Sequence, residues 1–213
     1  MKRLLPLLLA ALAASFAARA DDAAAASAAA HSLTQAERDA AVKALEASRA
    51  KFLAAIEGVT EAQWTFKPAP DRWSIAEAAE HIAVTEEGLR GMIVGKILAG
   101  PPATKEELAA AKGKDEAAPA AARNRSEKKK APEPFKPTGR FANEAATRAA
   151  FEKIRAETIE WIKSSPADFR GHVMKGLVGP MDAYDWTLFL SGHSERHTAQ
   201  IEEVKADPKF PKG

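Results

Sequence analysis

The chain has 213 residues, 46% hydrophobic and 28% charged, an ordinary globular composition with room for one buried core or two small domains. It contains no cysteine, which excludes disulfides, thiolate metal sites, iron–sulfur clusters and a thiol nucleophile. The formal charge of +2 would suit an anionic partner, but most of that excess lies in the first 20 residues.

Residues 1–20 read as an export signal. Lys2 and Arg3 supply a positive start, an apolar run follows from Leu4, and Ala18-Arg19-Ala20 places small residues where a signal peptidase reads them. The apolar run is shorter than the ~20 residues of a spanning helix, and Pro6 interrupts it. Cleavage after Ala20 and a periplasmic or secreted location are therefore expected, with no stable membrane insertion afterwards. Cleavage removes Lys2, Arg3 and Arg19 and no acid, leaving 28 basic against 29 acidic residues, a net charge of −1. Residues 21–31 are Ala-rich and read as a flexible leader ahead of a domain at 32–208.

Thr34-Gln35-Ala36-Glu37 is a capping box, in which hydroxyl and carboxylate satisfy each other's free backbone N–H groups. Behind it Val42, Leu45, Phe52 and Ile56 recur at helical spacing and Gly58 supplies a stop, which defines a first helix. Residues 64–71 contain Pro68 and Pro70 and read as a loop. Ser74-Ile75-Ala76-Glu77 opens a second helix, whose stripe of Ile75, Ala78, Ile82, Leu89, Ile93 and Ile97 ends before Gly100-Pro101-Pro102. Trp73, just before the cap, is placed to fix the entry of the chain into the core.

Residues 103–140 differ in kind. They are rich in Ala, Lys, Glu and Pro, carry ten basic and six acidic residues, and lack apolar periodicity. Apart from a short helix at 105–112, this low-complexity charged insertion is expected to be a mobile, solvated excursion. A third helix, about 144–163, is marked by Phe151, Ile154, Thr158 and Trp161 and closed by Ser165-Pro166. Asp182-Ala183-Tyr184-Asp185 caps a fourth, running to about Lys205. No segment reads as a strand. Four amphipathic helices with a long connection between the second and third predict an all-α, single four-helix bundle in which those two helices can run parallel.

Of the five histidines, His31 falls in the leader and His172 in a loop. His193 and His197 are four apart on the fourth helix, so their rings share a face about one turn apart and could share a divalent ion. Two helical histidines also occur as hydrogen-bonded core residues, and Ser194 stands where the zincin motif requires a catalytic glutamate. His81, beside the apolar stripe of the second helix, is a third candidate that a bundle can bring across the core. Three neutral imidazoles leave a fourth position for water or substrate, the pattern of a reactive metal site.

Trp73-Ser74, Glu77 and His81-Ile82, followed in order by His193, Arg196-His197 and Gln200-Ile201, resemble the DinB/YfiT-like superfamily of metal-binding four-helix bundles, distinct from the DNA polymerase that shares the DinB name. The resemblance spans residues 32–208 apart from the insertion. It implies an up-down-down-up bundle and a divalent metal ion, zinc or nickel, on His81, His193 and His197. Relatives in that group include thiol S-transferases that use small thiols and hydrolase-like members. The export signal and the 103–140 insertion depart from a cytoplasmic thiol-transfer role.

Three residues around these histidines could orient a ring or touch a substrate, each with a plainer reading. Glu77 could orient His81, but its place in the capping box accounts for it. Arg196 could pair an anionic substrate or a neighbouring glutamate. Gln200 could bind a ligand or sit at the bundle edge. Glu80 reads as a solvated face. The Lys128–Lys130 run has no interleaved aromatics, which argues against nucleic acid. The expectation is an exported protein that binds a divalent metal, a hydrolase or small-thiol transferase acting on a small-molecule substrate. The alternative is a non-catalytic metal- or partner-binding bundle of the cell envelope. An apolar flank could support a homodimer.

Overall fold

The computed structural model describes residues 32–212, so the export signal and the leader expected over 1–31, with His31, lie outside the described residues. Four long helices dominate: α1 (Gln35–Ile56), α3 (Ile75–Met92), α6 (Glu144–Ser164) and α7 (Ala183–Lys205). Three of them start at the capping boxes read from the sequence. Thr34, Ser74 and Asp182 each accept from the backbone N–H three residues on, while Glu37, Glu77 and Asp185 reach back. Asn143 caps α6 alone. Gly58, at φ 68°, lies two residues past the end of α1, where a side chain would be strained. Past Met92, α3 widens into a π turn, Ile93–Ile97, which keeps both terminal isoleucines buried.

The contacts at the helix ends define the topology. The Tyr184 hydroxyl donates to the Glu37 carbonyl at one end, and Lys205 Nζ to the Ala55 carbonyl at the other, so α1 and α7 run the same way. Arg38, near the start of α1, donates to the Ile162 and Ser165 carbonyls at the end of α6, whereas Phe52 meets Phe151 near its start. Those two helices are antiparallel. Glu86 and Arg90 of α3 pair in order with Arg155 and Glu157 of α6, which makes α3 and α6 parallel. The fold is the up-down-down-up bundle.

Its core has two apolar halves. One gathers Leu45, Leu89, Ile93, Ile162, Phe169, Tyr184 and Phe189; the other gathers Phe52, Ile56, Trp64, Ile75, Ile82, Phe151, Ile201 and Val204. A polar layer carries the fully buried Arg155, whose guanidinium pairs with Glu86 and also reaches the Leu45 carbonyl and the Ser48 and Ser194 hydroxyls. Each of its five donor positions is used, and all four long helices meet on it.

The connections depart from the sequence reading in three places. The stretch placed in a loop from Trp64 begins inside a short capped helix, α2 (Glu61–Thr65), whose Trp64 is buried in the core. Two short strands, β1 (Val173–Gly176) and β2 (Gly179–Asp182), form an antiparallel hairpin leading into α7, although no strand was expected. They are too short to carry a period-2 signal.

The third departure is the insertion: its helices and its C-terminal end pack on the bundle, and the solvated excursion is confined to a short span around 128–134. It holds α4 (Lys105–Ala111), α5 (Ala117–Arg123) and a 3-10 turn (Glu133–Phe135). Its core-facing residues are alanines, Ala111, Ala118 and Ala122, whose small side chains bury completely without producing an apolar stripe. Helix α5 lies so close to α7 that a Cβ on Gly192 would stand 2.1 Å from the Pro119 carbonyl oxygen. Arg170 fastens the start of this region, pairing at 2.7–2.8 Å with Glu37, Asp115 and Asp182. Among the described residues, no helix is long and apolar enough to cross a membrane.

Candidate metal centre

His81 comes from the middle of α3, and His193 and His197 from consecutive turns of α7. Because α3 and α7 are antiparallel neighbours, the three rings converge: centroids lie 4.4 Å (His81–His197), 4.6 Å (His193–His197) and 5.0 Å (His81–His193) apart. One nitrogen from each ring lies within 4.8 Å of the other two. Tetrahedral donors on an ion with metal–nitrogen distances of about 2.0–2.1 Å stand ~3.3 Å apart, so the triad nitrogens need to close by no more than ~1.5 Å to hold one. His81 and His197 are 3% and 8% exposed, and His193 is half-buried. Trp73 lies against His81 and His197 at 4.9 and 5.9 Å, and the Phe189 ring stacks 6.1 Å from His193.

The rings are held in the form that binds metals. Burial pulls the His81, His193 and His197 pKa values below the ordinary imidazole value, His197 down to about 3. Mutual repulsion among the rings and the positive Arg196 add to this. Two of the three rings are also oriented. His81 Nδ1 lies 2.6 Å from the Phe135 carbonyl and His197 Nδ1 lies 2.9 Å from Gln200 Oε1. Both partners are acceptors, so each Nδ1 carries the hydrogen and each Nε2 keeps its lone pair for a ligand.

The neighbouring candidates fall into distinct places. Gln200 orients His197. Both Glu77 oxygens are engaged elsewhere, one by the Ser74 N–H and one by Lys67, which is the capping role and not a histidine contact. Arg196 donates to the backbone carbonyls of Asn124 and Glu127, so its partner is the insertion backbone and not a glutamate carboxylate. Glu80 corrects the sequence reading: it is 5% exposed and accepts from the Thr138 and Gly139 N–H groups at 2.7 and 3.0 Å. The contribution of Phe135 was illegible in sequence, because it is a backbone carbonyl arriving from 54 residues away. His172 belongs to the lead-in to β1 and is not part of the cluster.

Two cavities lie nearby. One of about 880 Å³ is lined by Lys51, Arg123, Arg125 and Glu195 among others, and one of about 370 Å³ by Trp64, Glu77, Glu80 and Phe141. Neither is lined by a triad histidine.

The family model of the DinB superfamily matches residues 44–201, a span that takes in all three histidines. A curated relative, the uncharacterized protein YuaE of Bacillus subtilis (strain 168), is 22% identical over 151 residues, covering 70% of this chain and 88% of that protein. No solved structure matches. The chain belongs to the DinB superfamily.

Proposed function

We propose that this DinB-superfamily bundle holds one divalent transition-metal ion on His81, His193 and His197. The observation that carries the reading is the convergence of three imidazoles, two buried and one half-buried, with their nitrogens within 4.8 Å of one another. An all-imidazole donor set suits zinc, nickel, copper or iron, and the family resemblance supports zinc or nickel among these. When bound, such an ion lowers the pKa of a coordinated water or holds a thiolate. The chain supplies the rest: Phe135 and Gln200 set the ring tautomers, and Trp73 with the apolar walls keeps the surroundings low in dielectric. Three imidazoles would leave a fourth coordination position for water or a small molecule, which supports metal-assisted hydrolysis or group transfer. Because the chain has no cysteine, any thiol would come from a small-molecule cosubstrate.

The depth of burial favours a second reading, a non-catalytic metal-binding bundle, since His81 and His197 are only 3% and 8% exposed. The export signal at residues 1–20 supports placing either version in the periplasm or outside the cell. A mature N-terminus at Asp21 by mass spectrometry of the native protein is the expected result there.

Elemental analysis of protein purified without chelator tests the foundation. About one zinc or nickel per chain is expected, lost in His193→Ala; sub-stoichiometric metal in the wild type, or unchanged metal in the variant, overturns it. Cobalt substitution then separates the two versions. A change in the visible d–d bands on adding azide or a small thiol supports an open, reactive position. Unchanged bands support the closed, non-catalytic site.

A further inference from the structure

Resting on the metal reading above, we propose that residues 124–139 are a clasp of the metal centre: they hold His81 in its ligating tautomer and must loosen for the ion to exchange. The segment bridges the two helices that carry the ligands. At one end it is tied to α7 beside His197: Arg196 donates to the Asn124 and Glu127 carbonyls, and Arg125 returns a bond to the Arg196 carbonyl at 2.8 Å. Arg125 also pairs with Glu203 at 2.5 Å. At the other end it is tied to α3 beside His81. Buried Glu80 accepts from Thr138 and Gly139, and the Phe135 ring sits directly on Gly88.

That last contact explains why glycine stands mid-helix, where it costs helix stability. A Cβ there would lie 2.3 Å from Phe135 Cε1. Seating the ring on Gly88 brings the Phe135 carbonyl to 2.6 Å from His81 Nδ1, so side-chain packing sets the position of a backbone acceptor. The span between the two anchorages, 128–134, is exposed apart from a half-buried Ala131 and includes Lys128, Lys129 and Lys130. It therefore makes a bridge held at its ends and not along its length. A segment of this form can detach without unfolding the bundle. Phe135 is a positioning residue, acting on the ion only through His81.

Two variants of the full mature chain loosen the clasp from different contacts. Gly88→Leu displaces the Phe135 ring, and Glu80→Gln weakens the hold on Thr138 and Gly139. Two measurements read the result. Ring ¹⁵N shifts of His81 in metal-free protein should report an Nδ1–H tautomer in the wild type and a mixture in the variants. Zinc transfer to a chromogenic chelator should be about 10–100-fold faster in the variants, the affinity lost on removing the group behind a ligating histidine being expressed in the release rate. Phe135→Leu, which keeps both the backbone and an apolar plug, should stay close to wild type. An unchanged His81 tautomer with zinc release within about twofold of wild type in both helical, folded variants overturns the clasp. If the wild type takes up no zinc, the metal reading falls, and the tautomer measurement still decides whether the segment sets His81.

Discussion

Replacing Glu86 by Gln should destabilise the bundle severely, although it changes neither shape nor helix propensity much. Arg155 and Glu86 have side chains 0% and 1% exposed and meet in a two-pronged pair, Nε to Oε1 at 2.7 Å and Nη2 to Oε2 at 2.8 Å. The amide removes the negative charge and one of the two acceptors, leaving a guanidinium buried with no counter-charge. Breaking a buried pair from one side costs about 3–5 kcal/mol. Glutamine retains one acceptor, and Ser48, Ser194 and the Leu45 carbonyl remain, so the lower end, about 3 kcal/mol, is expected. For a chain of this size that corresponds to a fall in Tm of roughly 6–12 °C. Removing both partners should be far milder. In Glu86→Leu with Arg155→Met no charge is stranded, and the Ser48 and Ser194 hydroxyls still donate to the Leu45 and Leu190 carbonyls. Thermal and urea unfolding of the metal-free wild type, Glu86→Leu, Arg155→Met and the double variant complete the cycle, with Glu86→Gln measured beside them. Because Ser194 sits beside His193, the single variant should also weaken metal uptake. A Glu86→Gln loss below about 1 kcal/mol, or a double variant as unstable as the single, would refute the claim that one ionic node fixes the four helices.

Metal uptake should be insensitive to mild acid. Imidazoles of ordinary pKa near 6.5 would lose roughly 50-fold in the neutral form of three rings between pH 7.5 and 6. Here burial holds all three below that value, so the zinc affinity measured by competition titration should change much less than this over the same range. The same shifts mean that the folded chain binds fewer protons than the unfolded one below pH ~6.5, so metal-free stability should fall on acidification, less steeply in His193→Ala. Asp185 has the opposite sign. Burial and the neighbouring Asp182 raise it to about 7, so its contribution worsens as pH rises from ~4 to 7. Asp185→Asn, which keeps an acceptor for the Asp182 N–H, should raise the Tm at pH 8 and leave it unchanged near pH 4. Gly192→Ala should cost about 1–3 kcal/mol by overpacking, since the atom it meets is the Pro119 backbone carbonyl. Hydrogen exchange should show protection lost first in α5; unchanged exchange there would contradict the packing of the insertion.

Sequence alone determined the four long helices and their starts, because capping boxes and 3.6-residue periodicity act over a few neighbouring residues. Thr34, Ser74 and Asp182 cap where the local pattern requires. It also singled out His81, His193 and His197, the last two by helical spacing and the first by its face on the second helix. What tertiary structure decided is everything that depends on an unseen neighbour. The buried status of Glu80 and the role of Gly88 follow from the insertion folding back across α3. That return was hidden because the insertion packs with alanines and bonds through backbone groups, neither of which leaves an apolar period. Arg155 gave no signal either: a charge at a helical position reads as surface until four helices are found to supply its partners. Local rules placed the three imidazoles on helices, and only the antiparallel packing of α3 on α7, with a carbonyl from Phe135 behind one ring, made them a centre that an ion could occupy.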